Sequence, residues 1–113
     1  MTKKRTITTE QAALREFKNQ VVCKFGSEVL LIQLFGSYAR GDFHQDSDID
    51  ILVVVKSVSE DHKDFIDELV MKLAGKYEIY ISAILWPQKE FEYYQSIPTL
   101  FITNILREGI KLT

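Results

Sequence analysis

Cysteine is almost absent from this chain of 113 residues, since Cys23 is the only one. A single thiol cannot build a disulfide framework or supply the several thiolates of a structural metal site. The chain also lacks an apolar stretch long enough to span a bilayer, and its first residues, MTKKRTITTEQ, lack the apolar core of a signal peptide. These absences predict a cytoplasmic protein without a membrane partner.

A strong charge of either sign is missing as well. The chain has 14 basic and 16 acidic residues, a formal net charge of −2, and no basic cluster longer than TKKRT at its start. This balance argues against a broad electrostatic contact with nucleic acid. The apolar content of 46% and the charged content of 27% are those of an ordinary globular protein, so we expect one domain over residues 1–113.

Helical and strand-like segments alternate along the chain. Helical spacing of Leu14, Phe17 and Val21 predicts a first helix at Thr9–Lys24, with Thr8 and Gln11 placed as a capping box. The order α-β-β-α-β-α-α predicts an α/β domain with a small mixed sheet of about three strands flanked by helices. The remaining predicted elements are strands at Glu28–Phe35, Asp48–Val55 and Glu78–Leu85, with Trp86 and Pro87 breaking the third strand, and helices at Asp61–Gly75, at QKEFEYYQ and from Pro98 to near Gly109.

The stretch GSYARGDFHQDSDIDILVVV places two acidic residues at the start of an aliphatic strand. Alternate strand residues point to the same side, so Asp48 and Asp50 share one face, roughly 6–7 Å apart, whereas Ile49 and Ile51 face the core. Two such carboxylates repel each other unless a cation lies between them. Mg²⁺ suits the pair because it is commonly held by one or two carboxylates together with substrate phosphates.

Gly36 and Ser37 directly follow the first predicted strand. A glycine lets backbone amides approach a ligand closely, and a serine adds a hydroxyl donor, a combination that suits phosphate. Phosphate-binding backbone beside a metal-binding carboxylate pair is typical of phosphoryl or nucleotidyl transfer.

The pattern Gly36-Ser37-x-Ala39-Arg40-Gly41, followed by Ser47-Asp48-x-Asp50, resembles the signature of the DNA polymerase β-like nucleotidyltransferases. Within that superfamily the chain is similar to the minimal nucleotidyltransferases that are paired with HEPN-domain proteins. The resemblance covers essentially the whole chain and implies a palm-like fold. It also implies that Asp48 and Asp50 bind Mg²⁺ or Mn²⁺ and that Gly36 and Ser37 contact ATP or another nucleoside triphosphate.

The chain differs from the superfamily pattern at one position that matters for catalysis. Members of the superfamily place a third carboxylate on the next strand, and that position falls on Tyr80 here. Strand parity puts Glu78, Tyr80 and Ser82 on one polar face, so Glu78 is the nearest carboxylate and a candidate catalytic residue, two positions from the expected place.

Several neighbouring residues have alternative interpretations. Ser47 precedes the strand, where its first interpretation is a turn-forming residue and its second a nucleotide-binding residue. Arg40 either balances phosphate charge or pairs with Asp42 or Asp46. His62 is expected to be a solvated helix residue, and Cys23 a small hydrophobe at the end of the first helix. For the aromatic residues near the end of the chain, core packing is the first explanation, a protein–protein surface the second and stacking on adenine the third: Trp86, Phe91, Tyr93, Tyr94 and Phe101.

Three functions are consistent with these residues. The first is Mg²⁺-dependent transfer of AMP from ATP to a hydroxyl of a partner protein, with the chain acting as the antitoxin-like member of a HEPN pair. The second is a catalytically degenerate nucleotide-binding module, and the third is a subunit of a transferase that acts on a small molecule such as an aminoglycoside. Since the chain has no obvious acceptor-binding domain, we expect a partner protein or a homo-oligomer.

Overall fold

The computed structural model describes residues 8–41, 48–97 and 100–112. The first half of the chain forms helix α1 (Thr9–Phe25), a short 3-10 turn (Gly26–Glu28), strand β1 (Val29–Phe35), helix α2 (Gly36–Arg40) and strand β2 (Ile49–Val55). The second half forms helix α3 (Glu60–Tyr77), strand β3 (Ile81–Pro87), helices α4 (Gln88–Gln95) and α5 (Leu100–Glu108), and strand β4 (Ile110–Lys111). Among the described residues, no helix combines the length and the apolar character that crossing a bilayer requires.

The sheet is mixed and has the strand order β3-β2-β1-β4. β1 pairs antiparallel with both β2 and β4, whereas β2 and β3 are parallel, with α3 as the connection between them. The predicted mixed α/β architecture is therefore confirmed. The fourth strand was not predicted, because two residues at the end of the chain are too few to show a strand pattern.

Both faces of the central strand β2 are covered. Ile51, Val53 and Val55 pack against α1 and α3 on one face. Leu52 and Val54 lie on the other face, in a smaller cluster with Ile105 of α5. Burial on both faces explains why this strand reads as an aliphatic run without alternation. The second of these faces also carries Asp50, so we call it the carboxylate face.

The first helix was predicted almost completely. The hydroxyl of Thr8 accepts a hydrogen bond from the Gln11 backbone N–H at 3.1 Å, and the Gln11 side chain accepts one from the Thr8 N–H, which confirms the capping box. Cys23 near the end of this helix is exposed, so the prediction of a packed small hydrophobe was wrong. It falls on the solvent side of a helix whose core side is formed by Phe17, Val21 and Phe25.

The third strand begins three residues later than predicted. Helix α3 does not stop at Gly75 but continues to Tyr77, because Glu16 of α1 accepts hydrogen bonds from Lys76 Nζ at 2.9 Å and Tyr77 Oη at 2.8 Å. These bonds, with that to Lys76 the larger influence, lower the pKa of Glu16. Glu78 then ends α3 in a left-handed conformation with φ 57°. Its predicted place on the polar face of the strand is therefore wrong, as is the predicted break at Trp86 and Pro87, which belong to β3.

His62 is buried, with 8% of its surface exposed, and not solvated as predicted. Its Nδ1 accepts a hydrogen bond from the Ser59 backbone N–H at 2.9 Å, and the Ser59 hydroxyl caps the His62 N–H in return. On the other side of the ring, Nε2 lies 3.0 Å from Glu28 Oε1, and Phe25 packs edge-on at 4.5 Å between ring centroids. A capping box with histidine in place of glutamate was not apparent from the sequence, since the usual pattern has Glu or Gln at that position.

Gln33 anchors the end of the chain to the middle of the sheet. This side chain is 4% exposed, and its amide Nε2 donates a hydrogen bond to the carbonyl of Ile105 in α5. Gly109 lies against the same amide, and a Cβ atom there would overlap both Gln33 Nε2 and the Ile105 carbonyl oxygen. A glycine is therefore needed where α5 turns into β4.

We expect Gly109→Ala to destabilise the protein by about 1–3 kcal/mol, because the new methyl group must displace a buried hydrogen-bonded amide. Gly75→Ala is the matched control. Gly75 lies inside α3, and no atom comes within 4 Å of the place that an added methyl group would take, so alanine should stabilise the helix by about 0.5–1 kcal/mol. Urea unfolding of the wild type and the two variants measures both changes, and equal midpoints for the two variants would contradict this packing.

Candidate functional site

Gly36 lies directly against the carboxylate of Asp50. Phe35 and Asp50 are paired across the antiparallel β1–β2 ladder, so the turn after β1 lies beside the first residues of β2. Gly36 has φ 72°, and a Cβ atom at this position would overlap Asp50 Oδ2. Both the backbone conformation and the space exclude a larger residue. The predicted turn and the predicted carboxylate are thus in direct contact.

Asp48 and Asp50 lie at the open end of the carboxylate face. Asp48 is exposed just before β2, and Asp50 is half-buried within it. Burial, and then the neighbouring charge of Asp48, raise the pKa of Asp50, whereas Arg40 acts in the opposite direction. A carboxylate that is desolvated beside a second carboxylate is the arrangement that a bound cation stabilises.

Strand β3 and the residue just before it place two hydroxyl side chains next to this pair. Ser82 is in register with Asp50 on the neighbouring strand. The Tyr80 carbonyl accepts a hydrogen bond from the Ile49 N–H at 2.9 Å, which sets Tyr80 beside Asp48. Ser82 and Tyr80 are both exposed. The sequence put Ser82 on the correct face, but its position directly beside Asp50 became clear only from the register.

The other predicted site residues divide into three groups. Gly36, Ser37 and Arg40 belong to the five-residue helix α2 that follows β1. Glu78 is exposed at the end of α3, three residues before β3, so strand geometry does not bring it to the pair. Ser47, like Asp42 and Asp46, lies outside the described residues.

A metal site here would rest on two carboxylates. Within residues 8–41, 48–97 and 100–112, no three side chains of His, Cys, Asp or Glu are grouped closely enough to hold a metal ion. Two carboxylates fit Mg²⁺, which keeps several waters and takes further oxygen ligands from substrate phosphates. They do not fit a metal that needs an all-protein cage.

The cleft beside α1 is a separate feature. It has a volume of about 550 Å³ and is lined by polar residues of α1, among them Arg15 and Glu16, together with Tyr77. α1 packs on the opposite face of the sheet from Asp50, and neither Asp48 nor Asp50 lines this cleft. The cleft is therefore separate from the carboxylate pair.

Trp86 near the end of β3 and the three aromatic residues of α4 form one group of neighbouring rings. Trp86 stacks on Tyr94 with 4.8 Å between ring centroids, and Trp86 and Phe91 contact the smaller core cluster. Core packing, the first explanation from the sequence, is confirmed for Trp86 and Phe91, whereas Tyr94 is exposed and the side chain of Phe101 is not among those that the structure describes. Tyr93 is 60% exposed.

Comparison with known proteins points to one family. The sequence model of the nucleotidyltransferase domain matches residues 14–112. A protein of Methanocaldococcus jannaschii that carries the provisional name protein adenylyltransferase MJ0604 is 39% identical over 100 residues, which cover 88% of this chain and 94% of that protein.

Solved structures show the same fold. A chain of a toxin–antitoxin complex with AMP-PNP superposes with a TM-score of 0.58 at 24% identity, covering 87% of this chain and 71% of the other. A second similar chain comes from a complex of a tri-AMPylated HEPN toxin of Shewanella oneidensis with its MNT antitoxin. Its TM-score is 0.54 at 20% identity, and the match covers 94% of this chain and 72% of the other. At these identities the likeness concerns the fold.

We expect Gly36→Ala to disrupt the carboxylate pair, because the added methyl group would overlap Asp50 Oδ2. Gly26→Ala is the control: Gly26 also has positive φ, at 58°, but has open space where the Cβ would be added. Both variants should lose about 1 kcal/mol of stability from backbone strain, while only Gly36→Ala should also weaken Mn²⁺ binding in a spin-resonance titration. Equal Mn²⁺ affinity in the two variants would show that the turn does not support the site.

A second prediction follows from the raised pKa of Asp50. Since the folded state holds this proton more tightly than the unfolded state, the associated stability is present below the unfolded pKa, near 4, and is lost as the pH rises through the folded pKa. In EDTA, Asp50→Asn should therefore have a higher melting temperature than the wild type at pH 7. The difference between the two melting temperatures should become smaller below about pH 4. Asp67→Asn, a charge change on α3, is the control. A melting-temperature difference between Asp50→Asn and the wild type that does not change with pH would contradict a raised pKa of Asp50.

Proposed function

Because this chain belongs to the nucleotidyltransferase domain family, a family of transferase enzymes, we propose that it transfers AMP from ATP to a hydroxyl group of a partner protein in a Mg²⁺-dependent reaction. The observation that carries the proposal is the contact between the Gly36 turn and the Asp50 carboxylate, with Asp48 beside it. This contact joins a segment suited to phosphate with a segment suited to a cation.

The carboxylates Asp48 and Asp50 would hold Mg²⁺, or Mn²⁺ in its place. When bound, the ion neutralises phosphate charge and orients the triphosphate. The position of Asp50 is fixed by the Phe35 pairing on one side and the Ser82 pairing on the other. Because Asp50 is held in this way and Asp48 acts electrostatically on it, the two carboxylates would share one ion.

The residues of α2 would bind the triphosphate. The close approach of Gly36 to Asp50 puts the turn at the same end of the sheet as the carboxylate pair, and Ser37 follows directly. Arg40, which is exposed and acts electrostatically on Asp50, would balance phosphate charge. We include Ser47 in the same nucleotide-binding role on the basis of its place in the motif.

The acceptor is a protein in our proposal. Support comes from the relative named as a protein adenylyltransferase and from the fold shared with the antitoxin that is bound to an AMPylated HEPN toxin. We infer that the partner is a HEPN-domain protein encoded nearby, and that this chain acts as the antitoxin of the pair by adenylating it.

The transfer itself can be tested with ATP labelled at its α-phosphate, Mg²⁺ and the HEPN-domain product of the adjacent gene. We expect label on the HEPN protein and none when the metal is removed. A matched reaction with labelled GTP tests the preference for adenine. Absence of label in the presence of intact ATP binding would contradict the transferase reaction with this partner while leaving the nucleotide site standing.

The metal assignment predicts that the double variant Asp48→Asn with Asp50→Asn loses at least about tenfold in affinity for ATP measured with Mg²⁺ by calorimetry. Its affinity measured in EDTA should not fall, because without the metal the two carboxylates only repel the triphosphate. The control is Asp61→Asn with Asp67→Asn, which makes the same charge change on α3. Unchanged Mg²⁺–ATP affinity in the first double variant would remove these two residues from the metal site.

The third ligand position is addressed by two further variants. Ser82 is the residue in register with Asp50, so Ser82→Asp should add a carboxylate and raise Mn²⁺ affinity several-fold. Glu78→Gln should change neither Mn²⁺ affinity nor transfer, since Glu78 ends α3 outside the strand. If Glu78→Gln instead lowered the transfer rate by about 10²–10⁴ at unchanged ATP affinity, Glu78 would be the general base that the sequence suggested.

A further inference from the structure

Strand β3 forms one edge of the sheet and carries no charge. Its seven residues, ISAILWP, lie at the end of the order β3-β2-β1-β4, and within the described part of the chain β3 pairs only with β2. Edge strands of soluble proteins usually carry lysine or another charge, or are interrupted, which prevents them from pairing with other chains. An uncharged seven-residue edge is therefore a candidate for strand addition.

The parallel register determines which backbone groups face outwards. Because the Ile49 N–H donates to the Tyr80 carbonyl, the even-numbered residues of β3 direct their N–H and C=O groups towards β2. The backbone groups of Ile81, Ala83 and Leu85 consequently point away from the sheet. Pro87 falls in the same outward series, where its missing N–H costs no bond to β2.

Apolar side chains flank this edge. Met71 of α3 is 74% exposed and Tyr80 is 61% exposed. A groove of about 350 Å³ runs between α3 and the strand, with Met71 and Val70 on one side and Ile81 and Ala83 on the other. The edge thus offers both outward-facing backbone groups and adjoining apolar surface.

We propose that β3 pairs antiparallel with β3 of a second copy of this chain, about a twofold axis at Ala83. In this register Ala83 faces its own symmetry mate and Ile81 faces Leu85 of the second copy, which gives about six backbone hydrogen bonds. Pro87 remains outside the paired segment. A second copy fits because two uncharged edges bring no like charges together and because alanine leaves room at the axis.

The pairing would place two carboxylate pairs on one face of a continuous eight-stranded sheet. Ser82, the neighbour of Asp50, would lie one residue from the axis in each copy. With strands about 4.8 Å apart, the two Asp50 positions would be roughly 15 Å apart. The proposed interface uses the backbone groups of β3 that point away from β2, whereas the carboxylate pair lies at the start of β2. Dimer formation therefore does not depend on the proposed transfer reaction.

The test of self-association uses sedimentation equilibrium of the full chain from about 1 to 500 µM. A single strand edge with adjoining apolar surface should give a concentration-dependent dimer. Ala83→Lys places like charges at the axis and should weaken dimerisation at least about tenfold, whereas Ala12→Lys, on α1, should leave it unchanged. Circular dichroism of both variants checks that they fold. A monomer at all concentrations would overturn the proposal.

A cross-link tests the register in a background with Cys23→Ser. Paired residues at the axis have Cα atoms about 5.5 Å apart, within the range of a disulfide, so Ala83→Cys should form a covalent dimer on mild oxidation. Ser82→Cys is the control, because its symmetry mate would be roughly 8 Å away, beyond that range. A dimer that persists in Ala83→Lys, or one that cross-links through Ser82→Cys and not through Ala83→Cys, would show that another surface or register is used.

Discussion

The arrangement of the site depends on the contact between the backbone of Gly36 and the carboxylate of Asp50. A carboxylate that is half-buried at the end of an apolar strand has lost part of its hydration, and Asp48 beside it adds repulsion. The antiparallel pairing of Phe35 with Asp50 brings the turn to this point. The chain thus keeps an electrostatically unfavourable group in a place where a cation and a triphosphate would relieve it.

One face of β2 packs in the main core, and the other face carries the carboxylate Asp50. Ile51, Val53 and Val55 belong to the main core beneath α1 and α3. Asp50 shares the other face with Leu52 and Val54, which the short helices α4 and α5 cover only further along the strand. Substitutions on the first face should therefore act through unfolding, whereas those near Asp50 can change binding in a folded protein.

The sequence predicted those parts of the fold whose signals are local. The capping box of Thr8 and Gln11, the apolar face of α1 and the glycine that ends β1 each arise from residues close together in the chain. The carboxylate pair was predictable for the same reason, since strand parity places Asp48 and Asp50 on one face. The placement of Gly36 against Asp50 needed the pairing of two strands as well.

The wrong predictions concern residues whose positions depend on contacts with residues far away in the sequence. Glu78 was assigned to a strand because Gly75 resembles a helix stop, but Glu16 of α1 holds Lys76 and Tyr77 in a further helical turn. His62 was expected to be solvated, but Glu28 and Phe25, which belong to other elements than α3, contact its ring. The two-residue strand β4 depends on the anchoring of α5 by Gln33, a contact between residues 72 positions apart.

The central claim is that Asp48 and Asp50 together hold the metal ion that accompanies the nucleotide. Anomalous diffraction from a crystal grown with Mn²⁺ and a non-hydrolysable ATP analogue tests it most directly. We predict one manganese peak within coordination distance of both carboxylates, with the triphosphate extending from the ion towards the Gly36 turn. A nucleotide bound without manganese at these aspartates, or manganese bound at another place in the chain, would contradict the account.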